Sequence, residues 1–384
     1  MRILFCSQTH LSKELGAAKV VIELAEEMEQ LGWDCTLMSR HDVAPNSNGN
    51  SDNPGSLRGY FIEHASDYDV VDYDHHHLPF PRHDFPQRTL FVARSVLLWH
   101  HFRNISLPQE NHFKGRIRSL VFAMKEAKRR ERVDRFARVT VNEADLINVA
   151  NYDDQAALLR IGVPKEKIEV IPYGISRANR ENFDAVSSAM PSAPKVAFVG
   201  TFDNRKGATD FPQIVEAVCR AVPGASFRLL GTGRDEKTVL ARFPARSRNA
   251  IEVFPRYSPT ELPDLLAPCS AGVFPSYIEG FGLGVLEMLA ASIPVVAYNS
   301  PGPPMMLPPD YLASRGDWRA LSRKVIDLLN DRKGLIRARV WAQARSREFC
   351  WKSIARQTSD TYIEHLRRLR LKAPGSLSYS FSSE

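Results

Sequence analysis

Arg2-Ile3-Leu4-Phe5-Cys6 opens the chain, Ala17 to Leu31 follows across a polar turn, and Asp34-Cys35-Thr36-Leu37-Met38 comes next. The first run reads as a short buried strand. In the second, Val20, Val21, Leu24, Ala25, Met28 and Leu31 recur at the spacing of one helical face, and Gly32 ends the pattern. The third reads as a strand again. Strand, glycine-containing turn, helix, strand is the opening of a doubly wound parallel sheet.

Outward from there, Ala44 to Gly59 is rich in Asn, Ser, Pro and Gly and predicts a long, poorly ordered loop. Strands are expected at Asp69–Val71, Thr89–Ala93 and Arg138–Val141, with a basic helical stretch from Lys114 to Arg135. The alternation persists to Glu169-Val170-Ile171-Pro172-Tyr173-Gly174, and the polar segment Ser176 to Pro194 reads as a linker. The pattern then restarts, with strands at Val196–Val199, Ser226–Leu230, Ile251–Phe254, Gly272–Phe274 and Pro294–Ala297, and helices at Asp210–Val222, Thr260–Leu266 and Val285–Ala291. Two similar α/β domains facing a cleft are the simplest account, spanning 1–178 and 190–350. Helix-like runs follow from Trp318 to Lys372, and the Ser-rich tail 373–384 is expected to be disordered. No repeat at a fixed period is present.

Composition agrees. The 384 residues hold 51 Lys+Arg against 44 Asp+Glu, a formal charge of +7, with 43% apolar residues. These are globular values, and the length suits two or three domains. Five scattered cysteines with no CxxC pair indicate neither a disulfide framework nor a thiolate zinc site, and suit a reducing, cytosolic setting. The apolar start is too short for a signal peptide, and no apolar run reaches the length of a membrane span.

Chemistry concentrates in Pro275-Ser276-Tyr277-Ile278-Glu279-Gly280-Phe281-Gly282-Leu283-Gly284-Val285-Leu286-Glu287. The stretch follows an apolar strand and opens a helix, so its amides and the positive end of the helix dipole form a phosphate site. Glu279 and Glu287, with seven residues between them, can both face one ligand. Carboxylates beside a phosphate repel it unless they accept hydrogen bonds from hydroxyls, which points to a ligand with both phosphate and sugar groups. Gly200-Thr201-Phe202-Asp203-Asn204-Arg205-Lys206-Gly207 also joins a strand to a helix and offers two cations for a diphosphate. Either turn alone is equally a solvated loop; two at one sheet edge are harder to dismiss.

Glu279 to Glu287 resembles the E-x7-E motif of retaining GT-B glycosyltransferases of family 4, and Arg205-Lys206-Gly207 resembles that family's phosphate-binding turn. The likeness covers most of the chain: Gly16-Ala17-Ala18-Lys19-Val20 is similar to the family's GGAE-type loop, and Val170-Ile171-Pro172-Tyr173-Gly174 to the strand leaving its first domain. The resemblance implies two Rossmann-like domains, with a C-terminal helix, 351–372, crossing back to the first. It implies that Glu279 contacts the transferred sugar and Glu287 the ribose. The amides of Phe281, Gly282 and Leu283, beside Gly280, would hold the diphosphate with Arg205 and Lys206. Gly16 would let the first loop approach the donor, and Arg256 and Tyr257 lie where the family holds the base.

Three positions depart from that pattern. Thr201 stands where an Arg often follows the glycine, so that Arg205 would supply the charge. Arg94 stands where the family has a catalytic-site His, with His100 and His101 just beyond. Pro301-Gly302-Pro303-Pro304-Met305-Met306 replaces a loop that commonly carries an acid. The candidate catalytic residues are therefore Glu279, Arg205, Lys206, Arg94 and His101. The resemblance further implies no cofactor, a nucleotide-diphosphate sugar donor of the UDP or GDP type, a glycan or lipid-linked acceptor in cell-surface polysaccharide or glycolipid synthesis, and transfer with retention.

His64, His75, His76, His77, His83, His100, His101 and His112 crowd one part of the first domain. Asp72-Tyr73-Asp74 followed by three histidines suggests a metal site, but neighbouring His side chains are expected to diverge and no HExxH-like spacing is present, so no metal ligand is assigned and acceptor binding is preferred. The basic stretch 114–138 carries ten cations against Glu126, Glu131 and Asp134. It suits an anionic surface of the cytoplasmic membrane, or equally a solvated helix face; nucleic acid is disfavoured because no binding motif accompanies the charge. The competing functions are a non-catalytic nucleotide-sugar or glycan binder of the same fold, and a nicotinamide dehydrogenase, disfavoured because Gln8 to Gly16 lacks GxGxxG.

Overall fold

The computed structural model describes residues 1–7, 9–13, 16–43, 54–76, 81–108, 116–186 and 190–372. Strands β1 (Arg2–Ser7), β2 (Asp34–Ser39), β3 (Val70–Asp74), β4 (Leu90–Ser95), β5 (Leu146–Val149) and β6 (Ile168–Val170) form a parallel sheet in the order β2-β1-β3-β4-β5-β6. Strands β7 (Lys195–Val199), β8 (Ser226–Leu230), β9 (Ile251–Phe254), β10 (Ala271–Phe274), β11 (Val295–Tyr298) and β12 (Leu312–Ala313) form a second, in the order β12-β11-β10-β7-β8-β9. β10 and β11 are buried from end to end, because parallel strands are covered on both faces; hence their unbroken apolar runs. In such sheets ligands bind beyond the carboxyl ends of the strands where the winding reverses. Those points lie between β1 and β3 in the first sheet and between β7 and β10 in the second.

The expected doubly wound architecture is present, with local corrections. Arg138–Val141 is not a strand but part of the helix Arg116–Glu143. Ala137, Thr140, Val141 and Ala144 are buried at helical spacing, so packing of one face overrides the strand preference of the β-branched run. The strand lies further on, at β5. Within Ser176–Pro194 a helix runs from Arg177 to Ala185, capped by Ser176 and anchored by buried Phe183. Arg180 donates to Ser346 Oγ and O at 3.0 and 2.9 Å. One apolar anchor is too little for sequence periodicity to show. Within Ala44–Gly59, a helix starts at Pro54, while 44–53 and the tail 373–384 lie outside the described residues. So do Lys114, Gly115 and the side chains of 116–127, 129 and 130, which carry most of the expected basic face.

The C-terminal runs are three helices, Trp318–Asn330, Arg332–Arg347 and Trp351–Lys372. The last returns to the first sheet. Trp351 Nε1 donates to Glu23 Oε2 at 2.7 Å, Trp33 Nε1 to Ser359 Oγ at 2.9 Å, and Tyr362 Oη to Asp72 Oδ2 at 2.5 Å. Gly174 admits this crossing, since a Cβ there would lie 2.7 Å from the Trp351 amide nitrogen. Among the described residues no helix is long and apolar enough to cross a membrane.

Candidate functional site

Two loops at the β7/β10 reversal interlock. After β10 the chain runs through Pro275–Gly282 into the helix Leu283–Ala290, with Gly282 at φ +92° as its cap. Gly284 seats the helix start on the end of β7, where a Cβ would fall 2.3 Å from Val199 O. After β7, Asp203 Oδ1 accepts the Lys206 amide at 3.1 Å, and the Tyr277 amide donates to Arg205 O at 2.8 Å. Among the described residues the amides of Phe281, Gly282 and Leu283 find no acceptor. Unsatisfied donors at a helix start, reinforced by its dipole, form an anion site.

These loops face a cleft of about 820 Å³ between the two sheets' domains. Gly16 reaches it from the first domain, and Arg205, Lys206, Glu279 to Leu283, Glu287, Arg256 and Tyr257 from the second. The protein itself leaves room for a Cβ at Gly16, 3.9 Å from Leu283 Cδ1, so any demand for glycine there comes from a ligand. Tyr257 lies against Gly231, whose left-handed φ of +72° and missing Cβ admit the ring. Behind the glycine loop, Gly302 of the Pro-rich loop packs on the Phe281 carbonyl.

Charge in the cleft is arranged around the two glutamates. Lys206 Nζ lies 2.6 Å and Arg205 Nη1 3.5 Å from the same Glu279 oxygen, and Arg205 also donates to Ile278 O at 3.1 Å. Burial pulls the Lys206 pKa below its ordinary value, against the raising effect of Glu279. Arg205 and Thr201 both line the cleft. Glu287 Oε1 takes Lys19 Nζ at 2.8 Å from across the cleft. Burial acts to lower the Lys19 pKa, but Glu287 and Glu23 outweigh it and the ammonium is stabilised. Sequence reasoning missed Lys19, although it stands in the stretch quoted for Gly16, because nothing local names a partner 268 residues away.

Arg94 and His101 are not among the residues lining this cleft; Arg94 lines a smaller cavity that shares Ala17 and Val96 with it. Arg94, 3% exposed, is held by Asp72 at 2.9 and 2.5 Å and by Tyr362 Oη at 3.4 Å. His101 Nε2 lies 2.6 Å from Asp154 Oδ1, and both side chains are buried. Each answers a buried carboxylate, which is costly to leave unpaired. Arg94→Met is therefore expected to destabilise the fold by about 3–5 kcal/mol, measured by urea unfolding; lost turnover with an unchanged midpoint would instead return Arg94 to catalysis.

The histidine cluster also needs correction. His75 and His76 do not diverge: their Nδ1 atoms lie 3.3 and 2.7 Å from one Asp74 oxygen. Yet the Trp99 amide donates to His75 Nε2 at 3.2 Å, and burial favours the neutral ring. The single ring proton then sits on Nδ1, facing Asp74, where a metal would need a lone pair. The trio thus places three potential ligand atoms within 4.8 Å of one another, with the lone pair of His75 Nε2 committed to the Trp99 amide. His100 is buried and pushed down to about 4 by burial and by neighbouring His75; His77 and His112 lie outside the described residues.

Residues 179–347 match the family described as "Glycosyl transferases group 1". The chain is 32% identical to O-antigen chain mannosyltransferase B of Escherichia coli over 108 residues, 28% of each chain. It is 27% identical to glycogen synthase of Mycobacterium tuberculosis over 230 residues, 59% of this chain and 55% of that one. It thus spans about half or less of the length of these curated relatives. Sucrose-phosphate synthase from Thermosynechococcus elongatus superposes with a TM-score of 0.71 at 18% identity, over 96% of this chain and 99% of that one. HepE of Anabaena, solved in complex with UDP, superposes with a TM-score of 0.63 at 16% identity, over 95% and 100%. The architecture is the GT-B fold, two Rossmann-like α/β domains about a cleft.

Proposed function

We propose that the chain is a glycosyltransferase that moves a sugar, of hexose type, from a UDP- or GDP-sugar to a glycan or lipid-linked acceptor with retention of anomeric configuration. The observation that carries this reading is the meeting of Glu279, Glu287, Arg205, Lys206 and the unsatisfied amides of Phe281 to Leu283 in one cleft. UDP in the HepE structure and the mannosyltransferase relative support a nucleotide-sugar donor and a cell-surface glycan product. The reading places the enzyme in the cytoplasm, where nucleotide sugars are made.

The diphosphate occupies the amides and takes Arg205 and Lys206 as counter-ions. Glu279 accepts from hydroxyls of the sugar, and Glu287 Oε2, which has no partner among the described residues, accepts from the ribose. The bond from the anomeric carbon to the phosphate oxygen breaks as the acceptor oxygen bonds the same face, and the acceptor proton passes to the departing phosphate oxygen. The chain then supplies positioning and stabilisation of developing charge rather than a nucleophile.

A thermal-shift panel of UDP-, GDP- and ADP-sugars tests the site. One donor, at about 100 times its dissociation constant, is expected to add roughly 2.7 kcal/mol, and Glu287→Ala to lose that response. No response from any donor overturns the reading. An NMR spectrum of the product with inverted configuration overturns retention alone, and binding without turnover leaves a non-catalytic receptor.

A further inference from the structure

Among the described residues the first domain reaches the glycine loop through one side-chain hydrogen bond. Asn151, fully buried at the end of the β5 turn, donates from Nδ2 to the carbonyl oxygen of Gly280, 129 residues away. Its Oδ1 accepts the Asp154 amide at 2.7 Å as the cap of the helix Tyr152–Arg160. That second bond settles which end of the amide faces Gly280, because only the NH₂ can serve a carbonyl. Asp154 is in turn fixed by His101 at 2.6 Å, so the cap stands on a braced turn.

The consequence follows from peptide geometry. Among the described residues no peptide is cis, and in a planar trans peptide the carbonyl and the next N–H point in opposite directions. Fixing the Gly280 carbonyl towards the first domain therefore turns the Phe281 N–H away from it. Phe281 and Gly280 line the cleft, and the Phe281 amide has no acceptor among the described residues. The Tyr173 ring meets the Phe281 ring edge-on, with centroids 5.6 Å apart.

We infer that Asn151 is a positioning residue of the first domain: by holding the Gly280 carbonyl it orients the Phe281 amide toward a diphosphate in the cleft. This rests on the donor-site reading above, and it assigns His101 an indirect part, through Asp154, in place of a direct catalytic one.

The test uses Asn151→Ser and Asn151→Asp in the full chain. Both keep an oxygen to cap Asp154, and neither offers the amide donor to Gly280. Affinities for UDP and uridine, and for GDP and guanosine, are measured by calorimetric and NMR titration, with the ligand-free unfolding midpoint as the control for folding. The expected result is a diphosphate-over-nucleoside advantage at least about 10-fold smaller than in the wild type, the size of one hydrogen bond to a charged group, in a protein that still folds and binds nucleoside, with the midpoint lowered because a buried carbonyl loses its donor, and lowered more for Asp, which buries a charge. Variants that keep the wild-type advantage, or lose nucleoside and diphosphate in equal proportion, overturn the inference. A wild type that prefers neither diphosphate to its nucleoside overturns the donor site, and this inference with it, and is recognised before any variant is made.

Discussion

Glu279→Gln is expected to lower turnover of the nucleotide sugar by roughly 10- to 150-fold. A hydroxyl bound to a carboxylate is worth about 1.5–3 kcal/mol, or roughly 10- to 150-fold in rate at about 1.4 kcal/mol per decade. Glu279 has a second task besides, since it gathers Lys206 at 2.6 Å and Arg205 at 3.5 Å. Burial already draws the Lys206 pKa down, and Glu279 is the main group opposing it. Neutralising Glu279 lets that pKa fall further, so the cation is lost at a lower pH. The alkaline limb of the residual rate should therefore move toward neutrality relative to wild type, a shift that loss of a sugar contact alone would not produce. Turnover followed across pH checks both parts, and a variant with wild-type rate removes Glu279 from the reaction.

The second large effect is steric. A Cβ on Gly280 would lie 1.7 Å from Val96 O and 2.7 Å from Val96 C. Carbon and carbonyl oxygen approach no nearer than about 3.3 Å even in weak hydrogen bonds, so in Gly280→Ala the loop or the Ser95–Leu97 turn must withdraw by more than about 1 Å. Both Glu279 and the Phe281 amide adjoin that peptide, and a misplacement of this size costs about 100-fold in rate. Forced repacking should cost about 1–3 kcal/mol of stability. A kcat/KM reduced about 100-fold with a modest fall in unfolding midpoint is the expected outcome. Undiminished turnover would mean that the closed approach of the two domains is not the reacting arrangement.

Most of the second-domain side of the cleft was readable from local sequence. Val196–Val199 and Ala271–Phe274 announce buried parallel strands because both faces of each are covered. Their glycines mark loops whose backbone must pass close to a neighbour, as Gly207 does against Pro275 and Gly284 against Val199. Glu279, Glu287, Arg205 and Lys206 lie on or beside those loops, so their convergence follows from two strands being neighbours. The misreadings have one origin. Val139-Thr140-Val141 looks like a strand until a partner surface buries Ala137, Thr140, Val141 and Ala144 together. Arg94 looks free for catalysis until Asp72 and Tyr362 enclose it.

The sequence by itself determined the doubly wound class, the restart of the pattern near residue 195, and the two loops that offer amides and cations to an anion, since each is encoded in residues within a few positions of one another. Only the tertiary structure decided how the first domain meets those loops: Lys19 on Glu287, Asn151 on the Gly280 carbonyl, Val96 against Gly280, and Arg94 and His101 withdrawn onto buried carboxylates. Those pairings join residues from 22 to 268 positions apart. A charge or an amide carries no local mark of its partner; the partner is chosen by which surfaces pack, and by the cost of burying either group alone.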